Sequence, residues 1–551
     1  MEQTKNLPGT EVLKETKAMI DSLKTVCANA GLSNDSSEYK IITEAFLYKY
    51  LNDKFLHDLR RLDEFANTSN VEAAYASMSE SEREDALLGL DVDTAIVRPE
   101  YLLAYLFNKQ NEQGFAATLD GAMVGIADDN VDIFSVSTGG GQPIKLFNGI
   151  SRFIVEDSKR DPFARNLINK LAVFSFEQAF NQKYDFFANV FEYLIADYNK
   201  DSGTYGEYFT PHSIATIIAR ILVPEGASDV TVYDPAAGTG TLVLAAAHQI
   251  GEDKCTIYTQ DRSQKANEFM RLNLILNNLV HSLPNVVNDD TLENPRHLNA
   301  SKKGIRQFDY IVSNPPFNAD FSSTRDALAG EAYASRFWAG VPNIPPKEPG
   351  KMAIYLMFLQ HIMASLKPGG KAAVVVPTGF LTASPRSSRI AYDIRKRMIE
   401  DQLLRGIISM PSNIFATTGT NVSIVFLDSS KAYKDALLMD ASRLGVKVRL
   451  DKKKQRTYLT DEEIDRIVNA FNAREEVEDF SVLASYDEIE AKKYSFSAGQ
   501  YFEVKIDYVD ITSEEFDAEL KRRMNNLAEL FAEGNRLQSE IEAQLKEVHF
   551  G

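Results

Sequence analysis

The spacing of apolar residues changes twice along the chain and predicts three segments. In residues 1–185, apolar side chains recur at intervals of three and four, which is the spacing of an amphipathic helix. Glu38 to Leu62 shows it best, because one broad face of this stretch would carry Ile42, Phe46, Leu47, Tyr50, Leu51 and Phe55. Runs typical of strands are sparse here. We therefore predict an N-terminal all-helical domain over residues 1–185.

In residues 186–480, short apolar runs alternate with helical patterns. Strands separated by helices form parallel crossovers, so we predict an α/β domain with a doubly wound, mostly parallel sheet of seven strands. The link Ser412 to Asn421 is too short for a helix, so one edge strand is expected to run antiparallel. The predicted strand regions are Val230–Asp234, Cys255–Asp261, Asn285–Leu292, Phe308–Asn314, Lys371–Pro377, Leu403–Pro411 and Val422–Asp428.

Residues 481–551 form the third segment, a C-terminal helical extension. Thr512 to Val548 predicts one long helix, and Thr512 and Glu515 have the spacing of a capping box. Its apolar residues fall on a coiled-coil-like stripe that Gly534 interrupts. The residues on the seven-residue spacing are Leu520, Leu527, Ile541 and Val548. Two interpretations stay open: the helix packs on its own protein, or it docks a partner.

The charge and the cysteine content narrow the function classes. The formal net charge is −18, whereas proteins that grip DNA alone are usually basic. The chain suits a catalytic subunit whose partner supplies most phosphate contacts. The two cysteines, Cys27 and Cys255, fit a reducing cytoplasm and exclude a cysteine-rich metal site. The seven histidines do not have metal-ligand spacing either, so no metal is predicted.

Membrane association is not expected from the sequence. No apolar run approaches the roughly 20 residues that a spanning helix needs. Met1 to Lys5 lacks the charged-then-apolar pattern of a secretory signal. A cytoplasmic location is therefore the expectation.

Three acidic strand ends and one glycine turn point to a nucleoside-like ligand. Asp234 to Thr241 lies between the first strand and the first helix, where ligands bind in open α/β sheets. The turn lacks both the Gly-Lys-Ser/Thr ending of a phosphate loop and the G-x-G-x-x-G fingerprint. Asp234 suits an amine, Asp261 two ribose hydroxyls and Asp290 an adenine amino group, which together describe S-adenosylmethionine. For Asp234 or Asp261 alone, the alternative is a helix N-cap.

A second motif, Asn314-Pro315-Pro316-Phe317, ends the fourth predicted strand. An exocyclic amine is a weak nucleophile, because its lone pair is delocalised into the ring. The Asn314 side-chain oxygen and the Pro315 carbonyl could accept hydrogen bonds from such an amine. The two prolines fix the direction of these acceptors, and Phe317 offers a face for a flat base. The alternative is a rigid turn at a strand end.

Together these motifs resemble the amino-methyltransferase family of DNA methylases, in which Asn/Asp-Pro-Pro-Tyr/Phe holds the target amine. Two flanking stretches resemble the modification subunits of type I restriction–modification systems. They are "GEYFTPHSIATIIARIL" (Gly206 to Leu222) and "SSEYKIITEAFLYKYLNDKF" (Ser36 to Phe55). The resemblance covers Asp35 to Asp428. One departure is Asp261, where the family usually has a glutamate.

The resemblance implies the methyltransferase sheet, S-adenosylmethionine as cofactor, and N6-methylation of a flipped-out adenine in duplex DNA. It also implies a separate DNA-specificity subunit and a second modification subunit as partners. Whether a restriction (nuclease/translocase) subunit joins stays open. The residues implied to touch the cofactor are Glu207, Tyr208, Phe209, Thr210, Pro211, His212, Asp234, Gly238, Thr239, Gly240, Asp261 and Asp290. Those implied to form the target side are Asn314, Pro315, Pro316 and Phe317.

Other functions remain open from the sequence. One is a methyltransferase that acts on a protein glutamine or a ribosomal RNA base, since similar motifs serve there. Another is a non-catalytic assembly subunit, against which the intact Asp234, Gly238, Gly240 and Asn314 argue. Two basic segments, Pro385 to Arg397 and Lys447 to Arg456, are either solvated faces or DNA contacts.

Overall fold

One mixed β-sheet organises the part of the chain that the structure describes. The computed structural model describes residues 8–32, 36–138, 143–181, 190, 193, 210–415, 421–449, 455–502 and 512–547. The strands are β1 (Val136–Thr138), β2 (Pro143–Ile144), β3 (Val230–Asp234), β4 (Cys255–Asp261), β5 (Val286–Asn288), β6 (Phe308–Ser313), β7 (Leu366–Pro377), β8 (Leu404–Ser409), β9 (Val422–Asp428), β10 (Asp435–Asp440), β11 (Val446–Arg449), β12 (Gln455–Tyr458) and β13 (Ser481–Ser485). In these residues eleven strands form one sheet, ordered β13–β10–β8–β9–β7–β6–β3–β4–β5–β1–β2.

The seven predicted strand regions, β3 to β9, form the centre of this sheet. β6, β3, β4 and β5 are parallel neighbours, and β7 continues the parallel set beside β6. β9 is buried at every position and runs antiparallel to both β7 and β8. The expected antiparallel strand is therefore present, but its predicted place at an edge is wrong. A strand buried at every position is covered on both faces, and β9 also has a neighbouring strand on each side.

The predicted count of seven strands is too low for the described residues. β10 and β13 extend the sheet beyond β8, and β1 and β2 extend it beyond β5. Because β1 and β2 come from residues 1–185, that segment is not all-helical as predicted. These two strands have three and two residues, which is too short to leave a period-two pattern in the sequence.

Helices pack against the strands of the sheet and make up most of the N-terminal region. None of the described helices is both long and apolar enough to cross a bilayer. The helices are α1 (Pro8–Asn29), α2 (Ser36–Arg60), α3 (Val71–Ser77), α4 (Glu80–Leu87), α5 (Leu103–Lys109), α6 (Phe115–Asp129), α7 (Val131–Phe134), α8 (Asp157–Ala172), α9 (His212–Leu222), α10 (Thr241–Ile250), α11 (Gln264–Leu276), α12 (Arg325–Leu328), α13 (Glu331–Ala334), α14 (Tyr355–Ser365), α15 (Arg389–Glu400), α16 (Asp461–Ala473), α17 (Tyr486–Ala491) and α18 (Ser513–Glu547).

The N-terminal helices share their hydrophobic core with the sheet. One cluster of buried apolar side chains extends from Val12 to Phe480. The Tyr50 hydroxyl of α2 donates a hydrogen bond to the Leu276 carbonyl of α11 at 3.4 Å. Contacts within the chain accordingly make Met1–Tyr501 one compact unit and Phe502–Gly551 a second. The predicted segments 1–185 and 186–480 both lie inside the first unit.

The second unit contains one long helix, α18. Thr512 and Glu515 form the predicted capping box: the Thr512 amide donates to the Glu515 carboxylate at 2.9 Å, and the Glu515 amide donates to the Thr512 hydroxyl at 3.3 Å. The helix runs through Gly534 without a break. Val548, the last residue of the predicted stripe, lies outside the described residues. Large apolar side chains are exposed along the helix, namely Phe516, Leu520, Met524, Leu527, Leu530, Phe531, Leu537 and Ile541.

Gly406 tests the packing between β8 and its neighbours. A Cβ at this position would lie 2.5 Å from the Leu437 carbonyl oxygen and 2.8 Å from Phe471 Cζ. We expect Gly406→Ala to lower the free energy of unfolding of the full chain by about 1–3 kcal/mol, because the packed core cannot accept the methyl group without shifting. The thermal unfolding midpoint, followed by circular dichroism, measures the change.

Gly121→Ala is the matched control for Gly406→Ala. Gly121 lies inside α6, and nothing lies within 4 Å of a Cβ built there. This substitution should raise the midpoint, because alanine favours the helix by about 1 kcal/mol over glycine. Equal midpoints for the two variants would contradict the described packing of β8.

Candidate active site

A cleft opens where the carboxyl ends of β3, β4, β5 and β6 meet at one edge of the sheet. Its volume is about 940 Å³, counting the open space at its mouth. A cleft of this size suits a small-molecule ligand. The predicted site residues that line it are Thr210, Asp234, Gly238, Asp261, Asp290, Asn314 and Pro316.

The turn between β3 and α10 lines the cleft from Asp234 to Gly238. Gly238 and Gly240 have φ values of +52° and +89°, which glycine adopts without strain. A Cβ at Gly240 would lie 2.7 Å from the Met270 sulfur. The Thr239 carbonyl accepts a hydrogen bond from Asn273 Nδ2 at 2.7 Å. Thr239 and Gly240 therefore hold the turn against α11, while Gly238 lines the cleft.

Asp234 is a buried carboxyl at the end of β3. It accepts hydrogen bonds at 2.9 Å from the Ala236 amide and at 2.9 Å from the Ser313 hydroxyl. Burial raises the pKa of Asp234 to about 7, against the opposing effect of these hydrogen bonds. Its protonation state therefore changes near neutral pH. The N-cap of α10 is Gly240, so the N-cap interpretation of Asp234 is wrong.

Asp261 fastens the end of β4 to the glycine turn. Its two carboxylate oxygens accept hydrogen bonds from the Gly238 amide at 2.9 Å and the Ser263 amide at 2.8 Å. Burial raises the pKa of Asp261, and the two backbone hydrogen bonds oppose this. Ser263 is the N-cap of α11, so the N-cap interpretation is also wrong for Asp261. A longer glutamate side chain would place its oxygens beyond these two amides.

Asp290 shapes the turn after β5. Its carboxylate accepts from the Leu292 amide at 2.9 Å and the Glu293 amide at 3.1 Å. Thr291 in the same turn donates from its hydroxyl to the Pro235 carbonyl at 2.7 Å. The β5 turn and the β3 turn are therefore tied together along one side of the cleft.

The target-side motif follows β6. Asn314 donates from Nδ2 to the hydroxyl of buried Thr210 at 3.2 Å, and its Oδ1 oxygen has no donor among the described residues. Pro315 is buried, whereas Pro316 is exposed and lines the cleft. The Phe317 ring lies outside the cleft lining and meets the Tyr355 ring edge-on, with centroids 6.4 Å apart. Asn314 and Pro316 therefore share the cleft with the strand-end carboxyls.

Among the described residues of the predicted cofactor contact Glu207 to His212, Thr210 lines the cleft and the others do not. Glu207, Tyr208 and Phe209 lie outside the described residues. Pro211 is the N-cap of α9 and His212 its first residue, and neither lines the cleft.

The sequence interpretation missed Arg336, which lies in the segment between β6 and α14. Arg336 is 6% exposed, and it donates to the Thr291 carbonyl at 3.2 Å and to the Leu292 carbonyl. Its guanidinium lies 4.3 Å from the centre of the Phe337 ring. Next to it, burial lowers the pKa of His361 to about 3, so this imidazole is neutral near pH 7. No motif spacing marks Arg336, because its partners are backbone carbonyls.

The cleft also has an apolar wall that the sequence did not predict. Leu292, Ile354 and Phe358 line it, and all three are buried. Carboxyls at the strand ends, a glycine backbone and this apolar wall fit the amine, the ribose and the adenine of S-adenosylmethionine.

Cysteine and metal chemistry have no visible support in the described residues. Burial raises the thiol pKa of Cys27 and of Cys255 to about 12, so neither provides a thiolate near neutral pH. No group of three or more His, Cys, Asp or Glu side chains in the described ranges could hold a metal ion.

Curated relatives and solved structures agree on one type of protein. The chain is 25% identical over 541 residues to the type I restriction enzyme MpnII methylase subunit of Mycoplasma pneumoniae, covering 93% of this chain and 92% of that one. It is 28% identical to the MjaIX methylase subunit of Methanocaldococcus jannaschii, covering 70% of this chain and 67% of that one.

A solved structure with a similar fold is the type I restriction–modification methyltransferase subunit from Streptococcus thermophilus. Its TM-score is 0.69 at 22% identity, over 89% of this chain and 100% of that chain. This likeness confirms the α/β methyltransferase fold. The model of the N-6 DNA methylase family matches residues 182–507, which is more than half of the chain. This match agrees with the methyl transfer from S-adenosylmethionine to adenine that was predicted from the sequence. The protein therefore belongs to the N-6 DNA methylase family.

Proposed function

We propose that the cleft transfers a methyl group to the N6 amine of a DNA adenine, with Asn314, Pro315, Pro316 and Phe317 as its target side. The observation that carries this assignment is the position of Asn314. Its amide nitrogen is held by Thr210, and it lines the same cleft as the carboxyls that end β3, β4 and β5.

The cofactor side would use the strand-end residues. S-adenosylmethionine supplies an electrophilic methyl group when it is bound. The Asp234 carboxylate would pair with the ligand's amine, and the Gly238 backbone would allow its close approach. Asp261 would reach the ribose and Asp290 the adenine end. Thr239 and Gly240 would act indirectly, because they hold the turn on α11.

The target side would work by hydrogen-bond acceptance and positioning. The adenine has to leave the duplex, because its amine is not accessible inside the stacked helix. Asn314 Oδ1 and the Pro315 carbonyl would accept the two amine hydrogens and so favour a pyramidal, more nucleophilic nitrogen. The Phe317 ring, braced edge-on by Tyr355, would stack on the base.

The segment Glu207 to His212 would contribute to the cofactor side through Thr210, which lines the cleft. Pro211 and His212 begin α9, and this helix would fix the position of Thr210. We propose contacts for Glu207, Tyr208 and Phe209 from the sequence resemblance alone.

The chain would act as one subunit of an assembly, since its curated relatives are methylase subunits of type I restriction enzymes. We propose a DNA-specificity subunit and a second modification subunit as partners, with a restriction subunit where the system also cleaves DNA. In this arrangement residues 1–185 and 186–480 carry the core and the chemistry, and residues 481–551 carry the docking extension. A cytoplasmic location fits such an assembly.

A labelled-methyl assay with duplex DNA, RNA and protein substrates tests the proposed reaction class. Incorporation of label into adenine N6 of duplex DNA, and not into RNA or protein glutamine, is the expected result. Label in RNA or protein alone would refute the proposal.

Replacement of Asn314 tests the target side. Asn314→Ala should lower kcat for adenine methylation by about 10²-fold or more, because an aligned hydrogen-bond partner of the reacting amine is lost. Cofactor binding, measured by calorimetry, should stay near the wild-type value. The control is Asn343→Ala, an exposed asparagine in the following segment, which should leave kcat unchanged. Wild-type methylation by Asn314→Ala would rule out this role.

The pKa of Asp234 predicts how the affinity for S-adenosylmethionine depends on pH. Its pKa is about 7, and an amine beside it favours the ionised form. Below that pKa the carboxyl must lose a proton before it pairs, so affinity for S-adenosylmethionine should rise by about tenfold per pH unit as the pH increases towards 7, and then level off.

The pH comparison uses Asp234→Asn and Asp320→Asn. The Asp234→Asn variant should bind S-adenosylmethionine more weakly, and its affinity should lack the rise with pH that Asp234 contributes. The Asp320→Asn variant, changed at an exposed position, should keep this rise. Titration of the ligand's own groups is common to all three proteins and cancels in the comparison. Calorimetry of the wild type near pH 6 in two buffers should also detect proton release. The same slope in Asp234→Asn and wild type would exclude the carboxylate as the amine's partner.

The exposed stripe of α18 tests the docking role. Leu520→Glu with Leu527→Glu should abolish co-purification with the specificity subunit, since both side chains are exposed leucines on one face. Asn525→Glu with Ala543→Glu adds the same charge at exposed positions on the opposite face and should leave assembly intact. Both proteins should still bind S-adenosylmethionine. Assembly by the leucine variant would refute docking through this stripe.

A further inference from the structure

The two basic segments, which had the same two interpretations from the sequence, differ in how their charges are paired in the structure. On α15, three basic side chains are each paired with an acidic side chain four residues later. The pairs are Arg389–Asp393 at 2.8 Å, Lys396–Glu400 at 3.4 Å and Arg397–Asp401 at 2.9 Å. The Arg397 guanidinium also lies 4.2 Å from the centre of the Trp338 ring. The bases of α15 are therefore largely neutralised within the protein.

The β-ribbon formed by β11 and β12 has the opposite character. The described residues 441–449 and 455–460 contain four basic residues and no acidic residue. These bases are Arg443, Lys447, Arg449 and Arg456. None of them forms an ion pair with another described residue, although the chain as a whole has a net charge of −18. Lys447 and Arg449 are exposed, and they lie on the same face because side chains alternate along a strand.

The β-ribbon is attached to the same edge of the sheet as the target motif. Thr457 of β12 donates from its amide to the Asn413 carbonyl at 2.9 Å and from its hydroxyl to the Ser412 carbonyl at 2.6 Å. Asn413 follows the carboxyl end of β8. β8 is three strand positions from β6, which is about 14 Å at the usual spacing.

The direction of the strands fixes which edge this is. Ser409 at the end of β8 pairs with Ser423, and Val422 beside it pairs with Pro377 at the end of β7. β7 in turn runs parallel to β6, which ends at Ser313. The β-ribbon therefore projects from the edge that carries Asn314.

The face of the β-ribbon opposite Lys447 and Arg449 carries Val446, Arg456 and Tyr458 and is also partly exposed. Val446 is 57% exposed and Tyr458 is 43% exposed. The Arg456 guanidinium lies 4.9 Å from the centre of the Tyr458 ring. An isolated two-stranded ribbon is only marginally stable by itself, and the positive charge available to a polyanion is that of the exposed Lys447 and Arg449 on the other face.

We propose that the β-ribbon binds the phosphate backbone of the duplex DNA beside the flipped adenine, through Lys447 and Arg449. This inference rests on the proposed function, because it assumes a DNA substrate at Asn314. Phosphate neutralisation by exposed bases without acidic partners is the sequence-independent part of DNA binding. The β-ribbon is attached next to β8, about 14 Å from β6 across the sheet, and one DNA duplex is wide enough to contact surfaces that lie beside both strands.

The test compares two double variants that remove equal charge. Lys447→Gln with Arg449→Gln changes the β-ribbon, and Arg389→Gln with Lys396→Gln changes the paired bases of α15. Each full-length chain is assembled with its specificity subunit, and binding to a fluorescein-labelled random-sequence duplex is measured by anisotropy over a range of salt concentrations.

The β-ribbon variant should bind the duplex about tenfold more weakly at low salt. The slope of log K against log salt should become shallower by about 2, because each phosphate contact contributes about 0.9. Its kcat at saturating DNA should stay at the wild-type value. The α15 variant should keep the wild-type slope.

Several results would overturn the assignment. An unchanged slope in the β-ribbon variant is one, and equal changes in both variants, which would reflect net charge alone, is another. Loss of assembly in the β-ribbon variant, seen by size-exclusion chromatography, would make this surface a protein interface instead. If the wild type methylates DNA and the β-ribbon variant keeps the wild-type slope, the β-ribbon assignment fails and the proposed function stands. If the wild type does not methylate DNA, the proposed function fails.

Discussion

One buried hydrogen bond joins the two halves of the site directly at the strand ends. The Ser313 hydroxyl, at the last position of β6, donates to the Asp234 carboxylate at the end of β3 over 2.9 Å. Ser313 directly precedes Asn314, and Asp234 begins the glycine turn. Because β3 and β6 are parallel neighbours, their ends reach the same edge side by side. The bond holds an acceptor for an amine and a carboxyl for a cofactor at one fixed separation.

Arg336 provides a second tie between the same two sides. It belongs to the segment after the target motif, yet it binds the carbonyls of Thr291 and Leu292 in the β5 turn. Thr291 in turn holds the Pro235 carbonyl. A buried guanidinium held by backbone carbonyls is costly to misplace, so the cleft walls are expected to keep their spacing when a ligand enters. Positioning of this kind is what an uncharged amine acceptor such as Asn314 needs in order to work.

The central strands and both motifs could be predicted because they leave strong local signals. β9 is mostly apolar, and β6 is followed by Asn314 and two prolines; both features are visible directly in the sequence. The place of β9 between β7 and β8 could not be predicted, because periodicity reports burial and not the identity of a neighbour. β1 and β2 are too short to leave a pattern. Arg336 was missed since its partners are backbone carbonyls far away in sequence, and such contacts exist only once the chain has folded.

The charge distribution explains how an acidic chain can belong to a family of DNA enzymes. Several of its bases are engaged within the protein: Arg389, Lys396 and Arg397 pair with acids four residues later, and Arg336 and Arg395 are buried against carbonyl groups. The carboxyls of the cleft in turn are tied to backbone amides and hydroxyls, so they sit within the sheet edge and not on an open surface. An acidic surface repels a polyanion over about a Debye length. Approach to the duplex is then favoured at exposed bases without an acidic partner, such as Lys447 and Arg449, and the chemistry needs one such place near Asn314.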